Sequence, residues 1–417
     1  MHKQKREQKI MMLRFIILIT ALFFPQLLIA KETVTSENSA STIETLPLDE
    51  LAALADVYAE IKKFYVKELS DKEILDGAIR GMLDNLDAYS SYLTAEEFTA
   101  LEESATGDYA GIGIEAEHLA EGIKVISLIK DSPAKKSKLK KDDLIIAING
   151  ISTVNMSEED GSKLIRGKPG TELNITVISA GDGAIKNIRL IREIIHLTSI
   201  RYELLEPNIG FVHINEFQIR TATDLSQAIS SMELANKGPL AAFILDLRQN
   251  PGGLLDGAIE VSDLFLNQGT IVSTKSRIEA NNEIHTATSG DILRGKPMVV
   301  LIDHNSASAS EIVAGALQDN KRATIMGTKS FGKAMVQTLL PIHGGSAIKL
   351  TTALYYTPNE RSIQDLGIVP DVNIEFEQHS ASSIEQQSSE NKPSYHQDNQ
   401  VLAAVEYLKQ QIKEVGL

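Results

Sequence analysis

Three serines alternate with alanines in the segment IDHNSASASE, residues 302–311: Ser306, Ser308 and Ser310. A serine hydroxyl attacks a carbonyl efficiently only when a nearby base takes its proton. The segment follows a predicted buried strand and leads into a predicted helix, whose free N–H groups point at a hydroxyl on its first turn. Each of the three serines is therefore a candidate nucleophile for acyl transfer.

Ser308 and Glu311 also fit the capping-box pattern S-x-x-E, in which the two residues satisfy N–H groups at the start of a helix. This simpler interpretation requires no catalysis. The two interpretations are compatible, because a capping serine still lies at the first turn of the helix. The N–H of Ala309, next along the chain, is then in place to stabilise a developing oxyanion.

A second segment, DLRQNPGG at residues 246–253, also follows a buried strand and leads into a helix. Gly252 and Gly253 have no side chains, so their N–H groups can reach an oxyanion without obstruction. An ordinary turn between a strand and a helix is the alternative. Because loops of this kind share the carboxyl edge of an α/β sheet, we expect 246–253 and 302–311 to meet.

The base is harder to identify, because none of the nine histidines lies in a recognisable triad context and the GxSxG elbow is absent. Lys333 follows a glycine in the segment GTKSFGKAMVQT, residues 327–338. A lysine acts as a base only when it is neutral, so the site must desolvate the amine and lower its pKa. A solvated surface lysine is the alternative.

Gln337 lies four residues after Lys333. On one helical turn the Cβ atoms of such a pair are about 6 Å apart, and the amide can hold the amine. On a strand, four steps of about 3.3 Å would separate the two side chains too far for direct contact. Ala334 slightly favours the helical turn that direct contact between Lys333 and Gln337 requires.

These segments belong to a part of the chain in which strands and helices alternate, which predicts a largely parallel sheet. Four apolar runs are the predicted strands: 210–215, 241–248, 299–303 and 323–327. Helices are predicted near 221–235, near 254–266 and from about 309.

Residues 107–195 differ, because short apolar alternations cut by turns indicate a compact β module. Residues 111–116 match the dinucleotide fingerprint G-x-G-x-x-G/A, but they continue into a strand rather than a helix, so we reject nucleotide binding. The backbone N–H groups of Ile112, Gly113 and Ile114 instead form a concavity suited to a carboxylate, beside an open sheet edge. A strand entry without a ligand is the alternative.

The amino terminus indicates export. Residues 1–14 carry five basic side chains and one acidic side chain, and residues 15–29 are nearly all apolar before Ala30. This pattern is typical of a secretory signal, and the apolar run is shorter than the roughly 20 residues that span a bilayer. The expected compartment is the periplasm or cell envelope. An uncleaved anchor is the alternative, because Leu28 is not the small residue preferred near a cleavage site.

The composition excludes several classes of protein. The chain has 41 Lys and Arg against 56 Asp and Glu, a formal net charge of −15, so we expect no nucleic-acid partner. It has no cysteine, which excludes disulfides, thiolate metal sites and cysteine nucleophiles.

Several motifs follow one another along the chain: LDAYSSYL (86–93), the β module, DLRQNPGG, SASASEIVAGALQD (306–319), GTKSFGKAMVQT and LTTALYYTPNERSIQDLGIVPD (350–371). Their order resembles that of the carboxyl-terminal processing peptidases, or tail-specific proteases, over about residues 48–375. The resemblance implies a serine endopeptidase with a Ser-Lys dyad, no cofactor, and a PDZ domain that recognises protein C-terminal tails. A homo-oligomer and an activating adaptor both stay open.

Carried onto this sequence, the resemblance assigns three catalytic residues: the nucleophile Ser308, the general base Lys333 and the lysine-orienting Gln337. The oxyanion hole would come from backbone N–H groups: Gly252 or Gly253 with Ala309. Three departures from the family pattern leave every reacting group in place: Ala334 and Glu360 where glycine is usual, and Ala88-Tyr89 in place of Pro-His. Glu360 casts doubt on a local turn.

Arg166 lies at the end of the helix predicted in the PDZ-like module, in LIRGKPGT. It is a candidate for a charge-assisted hydrogen bond to the protease body, through which peptide docking would shift an inactive-to-active equilibrium. An arginine that only satisfies carbonyls at the helix end is the alternative.

The expected fold is multidomain α/β, with a helical N-terminal segment, a PDZ-like β module and a protease core whose largely parallel sheet resembles the crotonase-like arrangement. The expected boundaries are a signal peptide 1–30, a linker 31–47, a helical domain 48–106, a PDZ-like domain 107–195, a Ser-Lys peptidase core 196–376, a disordered linker 377–400 and a C-terminal helix 401–417. A non-catalytic PDZ-containing adaptor of the envelope and a crotonase-type acyl-CoA enzyme are the alternatives. The signal peptide disfavours the second.

Overall fold

The structure is a computed structural model that describes residues 46–205, 208–377 and 398–414, and it forms two compact units that divide after Ile74. The predicted signal peptide 1–30 and most of the predicted linkers 31–47 and 377–400 lie outside the described residues. Within the described ranges, no helix is long and apolar enough to cross a membrane.

The first unit contains helix α1 (Leu48–Phe64) and the start of α2 (Asp71–Asp84). Acidic side chains lie in the first turn of α1 and basic side chains in its last turn, which complements the helix dipole. None of its residues is buried. The presence of α1 and α2 confirms the sequence prediction of helices in this segment.

The second unit continues with strand β1 (Ser91–Leu93) and helix α3 (Ala95–Thr106). Thr94 and Glu97 form a capping box that starts α3, and Gly107 ends it in the left-handed conformation, with φ 71°. The chain therefore turns sharply from α3 into the β module.

The β module has its own hydrophobic core, which includes Ile123, Ile145 and Leu173. Its elements are β2 (Asp108–Gly111), β3 (Ile114–Leu119), β4 (Gly122–Leu128), α4 (Pro133–Lys136), β5 (Leu144–Ile148), β6 (Ile151–Ser152), α5 (Glu158–Ile165), β7 (Glu172–Ile178), β8 (Ile185–Ile191) and β9 (Glu193–His196). The antiparallel order is β3-β4-β5-β7-β8, with β6 beside β5. Strands β2 and β9 form a separate antiparallel pair, so the chain enters and leaves the module side by side.

The largest core belongs to a six-stranded sheet with helices packed on it. Its elements are β10 (Ile200–Leu205), β11 (Ile209–Ile214), α6 (Thr221–Asn236), β12 (Ala242–Asp246), α7 (Leu255–Asp263), β15 (Met298–Ile302), α8 (Ala309–Asp319), β16 (Thr324–Gly327) and β19 (Val372–Asn373). All neighbouring pairs from β11 to β19 are parallel, and only β10 runs antiparallel to its neighbour. The predicted largely parallel sheet is confirmed.

A second, antiparallel sheet packs against this core. It contains β1, β13 (Thr270–Ser276), β14 (Glu283–Thr286), β17 (Met335–Pro341) and β18 (Ala347–Tyr356). β18 lies between β1 and β13, and β17 also pairs with β18. The N-terminal segment 91–93 therefore joins a sheet formed otherwise by the peptidase part of the chain.

The last helix, α9 (Asn399–Glu414), packs on the parallel sheet through Val401, Ala404 and Leu408. Arg248 anchors its start through an ion pair with Asp398, 2.8 Å long, and also pairs with the buried Asp246 at 2.7 Å. Burial alone would raise the pKa of Asp246, but hydrogen bonds from Arg248 and His213 outweigh it and lower the pKa to about 2.

Candidate active site

The two candidate loops meet, as the sequence predicted. Strands β12 and β15 are parallel neighbours, so the loops that follow them leave the same edge of the sheet. The N–H of Gln249 donates to Asp303 Oδ1 at 3.0 Å, and the N–H of Ala307 donates to the Asn250 carbonyl at 3.0 Å. These bonds place Gly252 and Gly253 beside the start of α8.

The three candidate serines have different environments. Ser306 and Ser310 are fully buried, and their hydroxyls donate to the carbonyls of Leu247 at 2.8 Å and Asn250 at 3.0 Å. Ser308 is only partly buried and borders a small cavity. Only the Ser308 hydroxyl is therefore placed to meet a substrate, whereas the other two hold the loops together.

Ser308 precedes the first residue of α8 and has φ 53° and ψ −113°. A positive φ is uncommon for any residue other than glycine, and such strain persists where the surrounding structure enforces it, often at functional sites. The N–H of Ser308 donates to Glu311 Oε2 at 2.9 Å, as the capping-box pattern predicts. The turn therefore presents the serine at the positive end of the helix dipole.

The two glycines that are alternative oxyanion donors differ in their hydrogen bonds. The N–H of Gly252 donates to Asn250 Oδ1 at 2.9 Å, so it is already engaged. The N–H groups of Gly253 and Ala309 donate to no described residue, and both residues line a cavity of about 110 Å³ together with Ser308. Gly253 and Ala309, rather than Gly252, are the available pair.

Gly253 also needs to be glycine. Its φ is 136°, and a Cβ atom there would overlap the carbonyl oxygen of Phe217, which is paired with Gly253 across a parallel bridge. The next residue, Leu254, also holds this segment against Phe217, because its N–H donates to the Phe217 carbonyl at 2.8 Å. The absence of a side chain at Gly253 therefore lets the backbone approach Phe217 closely, and this approach sets the position of the Gly253 N–H.

Glu311 links the serine loop to the lysine loop. Its fully buried carboxylate accepts hydrogen bonds from the N–H of Ser308 (2.9 Å), the N–H of Lys333 (2.9 Å), the N–H of Gly332 (2.7 Å) and the hydroxyl of Ser330 (2.6 Å). Burial raises the pKa of Glu311, although the four hydrogen bonds oppose this shift. The sequence pattern predicts only a capping role for Glu311, because its partners on the lysine loop are 19 to 22 residues away.

Tyr355 forms a second link between the loops. Its hydroxyl oxygen lies 3.0 Å from the Ser308 carbonyl oxygen and 2.5 Å from the Lys333 carbonyl oxygen, so its one proton is shared between the two acceptors, and its ring is buried. It lies in a motif that carries the family resemblance, but no local pattern indicates its partners. Glu311 and Tyr355 thus each contact the backbone of both Ser308 and Lys333, and together they hold the two residues in position relative to each other.

Lys333 is half-buried. Burial lowers its pKa, the positive charge of Lys349 lowers it further, and the carboxylates of Asp87 and Glu311 oppose this. The direction agrees with what a lysine base requires. Its Nζ lies 4.6 Å from the centre of the Tyr89 ring and donates no hydrogen bond to any described residue.

Lys333 and Gln337 do not lie on one helical turn, the arrangement that direct contact between them requires. Lys333 lies in an irregular segment, and Gln337 lies in strand β17, where it pairs with Thr351 of β18 after a register shift at Val336. Ladder hydrogen bonds to β18 outweigh the slight helix preference of Ala334. Gln337 Nε2 approaches Thr351 Oγ1 at 3.4 Å, and the residue borders the same cavity as Ser308.

Glu360 does not prevent its turn. It has φ 56°, where glycine would be unstrained, and its N–H donates to the Thr357 carbonyl at 2.8 Å. The departure from glycine therefore costs some backbone strain and leaves the turn intact.

The predicted tail-binding loop lies at the entry to β3. Gly113 has φ 77°, and the N–H groups of Ile112 and Gly113 donate to no described residue. A groove of about 450 Å³ runs between β3 and α5, lined by Ile114, Ile165 and other residues. The edge of β3 that the sequence predicts for peptide binding therefore borders a groove.

Arg166 faces the same groove and also contacts α3. Its guanidinium forms an ion pair with Glu103 of α3 and lies 5.2 Å from the centre of the Tyr109 ring. The helix-end carbonyls of Leu164 and Ile165 accept instead from Arg192, at 2.8 and 2.9 Å. Arg192, rather than the Arg166 guanidinium, therefore satisfies these carbonyls at the end of the helix.

Comparison with known proteins matches three parts of the chain to family models: "Activating protease CtpB N-terminal domain" over 22–97, "PDZ domain" over 99–178 and "Peptidase family S41" over 208–374. The chain is 40% identical over 369 residues to the carboxy-terminal-processing protease of Bartonella bacilliformis, covering 87% of this chain and 83% of that protein. It is 35% identical over 376 residues to the carboxy-terminal processing protease CtpA of Bacillus subtilis, covering 89% and 78%. A solved structure of a photosystem II D1 C-terminal processing protease is 26% identical, with a TM-score of 0.45 over 78% of this chain and 86% of that one.

Proposed function

This chain belongs to the carboxyl-terminal processing proteases of peptidase family S41, and from that membership we propose that it is an exported serine endopeptidase with a Ser308–Lys333 dyad. One observation carries the assignment. The partly exposed Ser308 begins a buried helix beside two free N–H groups, and Glu311 joins its backbone to that of Lys333.

The proposed reaction begins when the neutral amine of Lys333 takes the proton of the Ser308 hydroxyl as the oxygen attacks the scissile carbonyl. The N–H groups of Gly253 and Ala309 stabilise the oxyanion of the tetrahedral intermediate. The protonated amine then gives its proton to the leaving amine. Water, activated by the same lysine, hydrolyses the ester that remains on Ser308.

Gln337 has a weaker role in this proposal, because β17 places it at the cavity and not on a helical turn with the lysine. The family resemblance assigns it to orienting the lysine, and we propose that it acts from the border of the cavity, where its amide lies 3.4 Å from Thr351 Oγ1, without taking a proton itself. The proposed division of the chain assigns tail recognition to 107–195 and catalysis to 196–376.

The amino-terminal segment supports export to the periplasm or cell envelope. Its basic start and apolar run are followed by the small Ala30, so we expect the mature chain to begin near Lys31. Amino-terminal sequencing of the envelope protein tests this, because a sequence that starts at Met1 would indicate an anchored enzyme.

Tail recognition predicts a difference between free and blocked carboxyl termini. If the N–H groups around Ile112 and Gly113 hold a terminal carboxylate, a free-acid tail peptide should bind about tenfold more tightly than its amide, because charge-assisted hydrogen bonds are lost in the amide. Calorimetry with the Ser308→Ala protein measures both affinities without cleavage. Equal affinities would show that the carboxylate is not recognised.

The contacts of Arg166 predict coupling between the groove and the rest of the protein. We expect Arg166→Ala to lose several-fold of the stimulation that a tail peptide gives to cleavage of a short reporter peptide, because the link to Glu103 is broken. Lys163→Ala is the matched control, since Lys163 lies on the same helix and its ion pair, with Glu159, is within that helix. Unchanged basal and stimulated rates in Arg166→Ala would exclude the coupling.

A further inference from the structure

The amine of Lys333 lies against an aromatic ring from a distant part of the chain. Its Nζ is 4.6 Å from the centre of the Tyr89 ring, and both side chains are partly buried. No hydrogen bond joins Nζ to the Ser308 hydroxyl in the part of the chain that the structure describes. The amine therefore lies over the ring without a hydrogen bond to the nucleophile.

The position of Tyr89 is fixed by its backbone. Asp87 Oδ1 accepts from the N–H groups of Tyr89 and Ser90, each at 2.7 Å, and the Ser90 hydroxyl accepts from the Thr351 N–H at 3.1 Å. The next residues form β1, which pairs with β18. The ring is therefore held by the same sheet that positions Gln337.

An aromatic face attracts an ammonium ion much more strongly than a neutral amine, because the attraction is between a charge and the ring quadrupole. The other groups around Lys333 shift its pKa in opposite directions. Asp87 and Glu311 favour the protonated amine, whereas burial and Lys349 favour the neutral amine. Tyr89 also favours the protonated amine, so it influences both the position of the amine and the pH at which the amine becomes neutral.

Resting on the proposed role of Lys333 as the base, we propose that Tyr89 is a positioning residue, which holds the protonated amine over its ring and releases it towards Ser308 when the amine gives its proton to water. The neutral amine gains little from the ring and can turn to accept the serine proton. The movement of the Lys333 amine from the ring to Ser308 then depends on pH. Tyr89, in the N-terminal segment, is the side chain that causes this dependence.

The test compares Tyr89→Leu with Tyr89→Phe, which keeps the ring and removes only the hydroxyl. The pH dependence of kcat/KM is measured for both variants and for wild type. We expect the midpoint of the acid limb to fall by about half a pH unit in Tyr89→Leu, which is about a threefold gain in the fraction of active enzyme below the midpoint. Tyr89→Phe should keep the wild-type midpoint. Tyr89→Met serves as a second ring-free variant if Tyr89→Leu does not fold.

A direct titration separates this inference from the assignment of the base. The Nζ signal of Lys333 is followed by NMR in ¹⁵N-lysine-labelled Ser308→Ala protein, assigned by its loss in Lys333→Arg. Parallel shifts of the NMR midpoint and the kinetic midpoint in Tyr89→Leu support the proposal. If both midpoints stay unchanged while agreeing with each other, Tyr89 has no such role although the base assignment stands. If the NMR midpoint moves and the kinetic midpoint does not, Lys333 is not the base, and the proposed role of Tyr89 falls with it.

Discussion

Replacing Lys333 with arginine should abolish proteolysis as completely as replacing Ser308 with alanine. A guanidinium stays protonated at any working pH, so it cannot take the serine proton even though it keeps a positive charge in the same place. We expect kcat/KM to fall by about 10³-fold or more in both variants, as is typical when one member of a catalytic group is removed. Gln337→Ala should keep partial activity, because it removes a side chain at the border of the cavity and leaves both the nucleophile and the base in place.

The pH–rate profile of wild type provides the matching observation. Burial and Lys349 lower the pKa of Lys333, so the neutral, reactive amine is present above that lowered pKa and is lost as the pH falls through it. Cleavage should therefore rise with pH and then level off, at a lower pH than an exposed lysine would give. Binding of a free-acid tail peptide by each variant controls for folding. Substantial cleavage by Lys333→Arg near neutral pH would mean that another group takes the proton.

Replacing Glu311 with glutamine should lower kcat by about 10²-fold and leave KM nearly unchanged. The carboxylate accepts the N–H groups of Ser308 and Lys333 on Oε2 and the Gly332 N–H and Ser330 hydroxyl on Oε1, whereas an amide in either orientation would direct its NH₂ group at one of these two pairs of donors. Each buried N–H left without a partner costs about 1–3 kcal/mol, so the two loops should move apart. Steady-state kinetics measure this loss. Glu260→Gln, at an exposed position on α7, is the control.

The pH dependence of stability gives a second readout on Glu311. Burial raises the folded-state pKa of this carboxyl above its ordinary value of 4.5. Its contribution to the free energy of unfolding is therefore full below the ordinary pKa and decreases as the pH rises through the raised one. Wild type should lose stability relative to Glu311→Gln over that range in urea unfolding. An unchanged kcat and a constant stability difference would show that the carboxylate does not act as proposed.

The sequence by itself determined the parallel sheet and the meeting of the two loops. Buried apolar runs that alternate with amphipathic helices can form few topologies other than a parallel α/β sheet, and the carboxyl ends of neighbouring parallel strands lie at one edge. That is why DLRQNPGG and IDHNSASASE, each between a buried strand and a helix, are predicted to meet from the sequence alone. The S-x-x-E pattern likewise predicted the hydrogen bond of Ser308 with Glu311, because helix capping involves residues only three apart.

The tertiary structure decided what local patterns could not. Gln337 is in a strand because β18 supplies ladder partners from about 14 residues away, which outweigh the small helix preference of Ala334. Gly253 rather than Gly252 has the free N–H, because Asn250 engages the first. The contacts of Tyr89 with Lys333 and of Glu311 with the lysine loop join residues far apart in sequence, where no periodicity or spacing carries a signal. Residue types could therefore be read locally, but the hydrogen bonds and charges that make them a site come from the packing of distant segments.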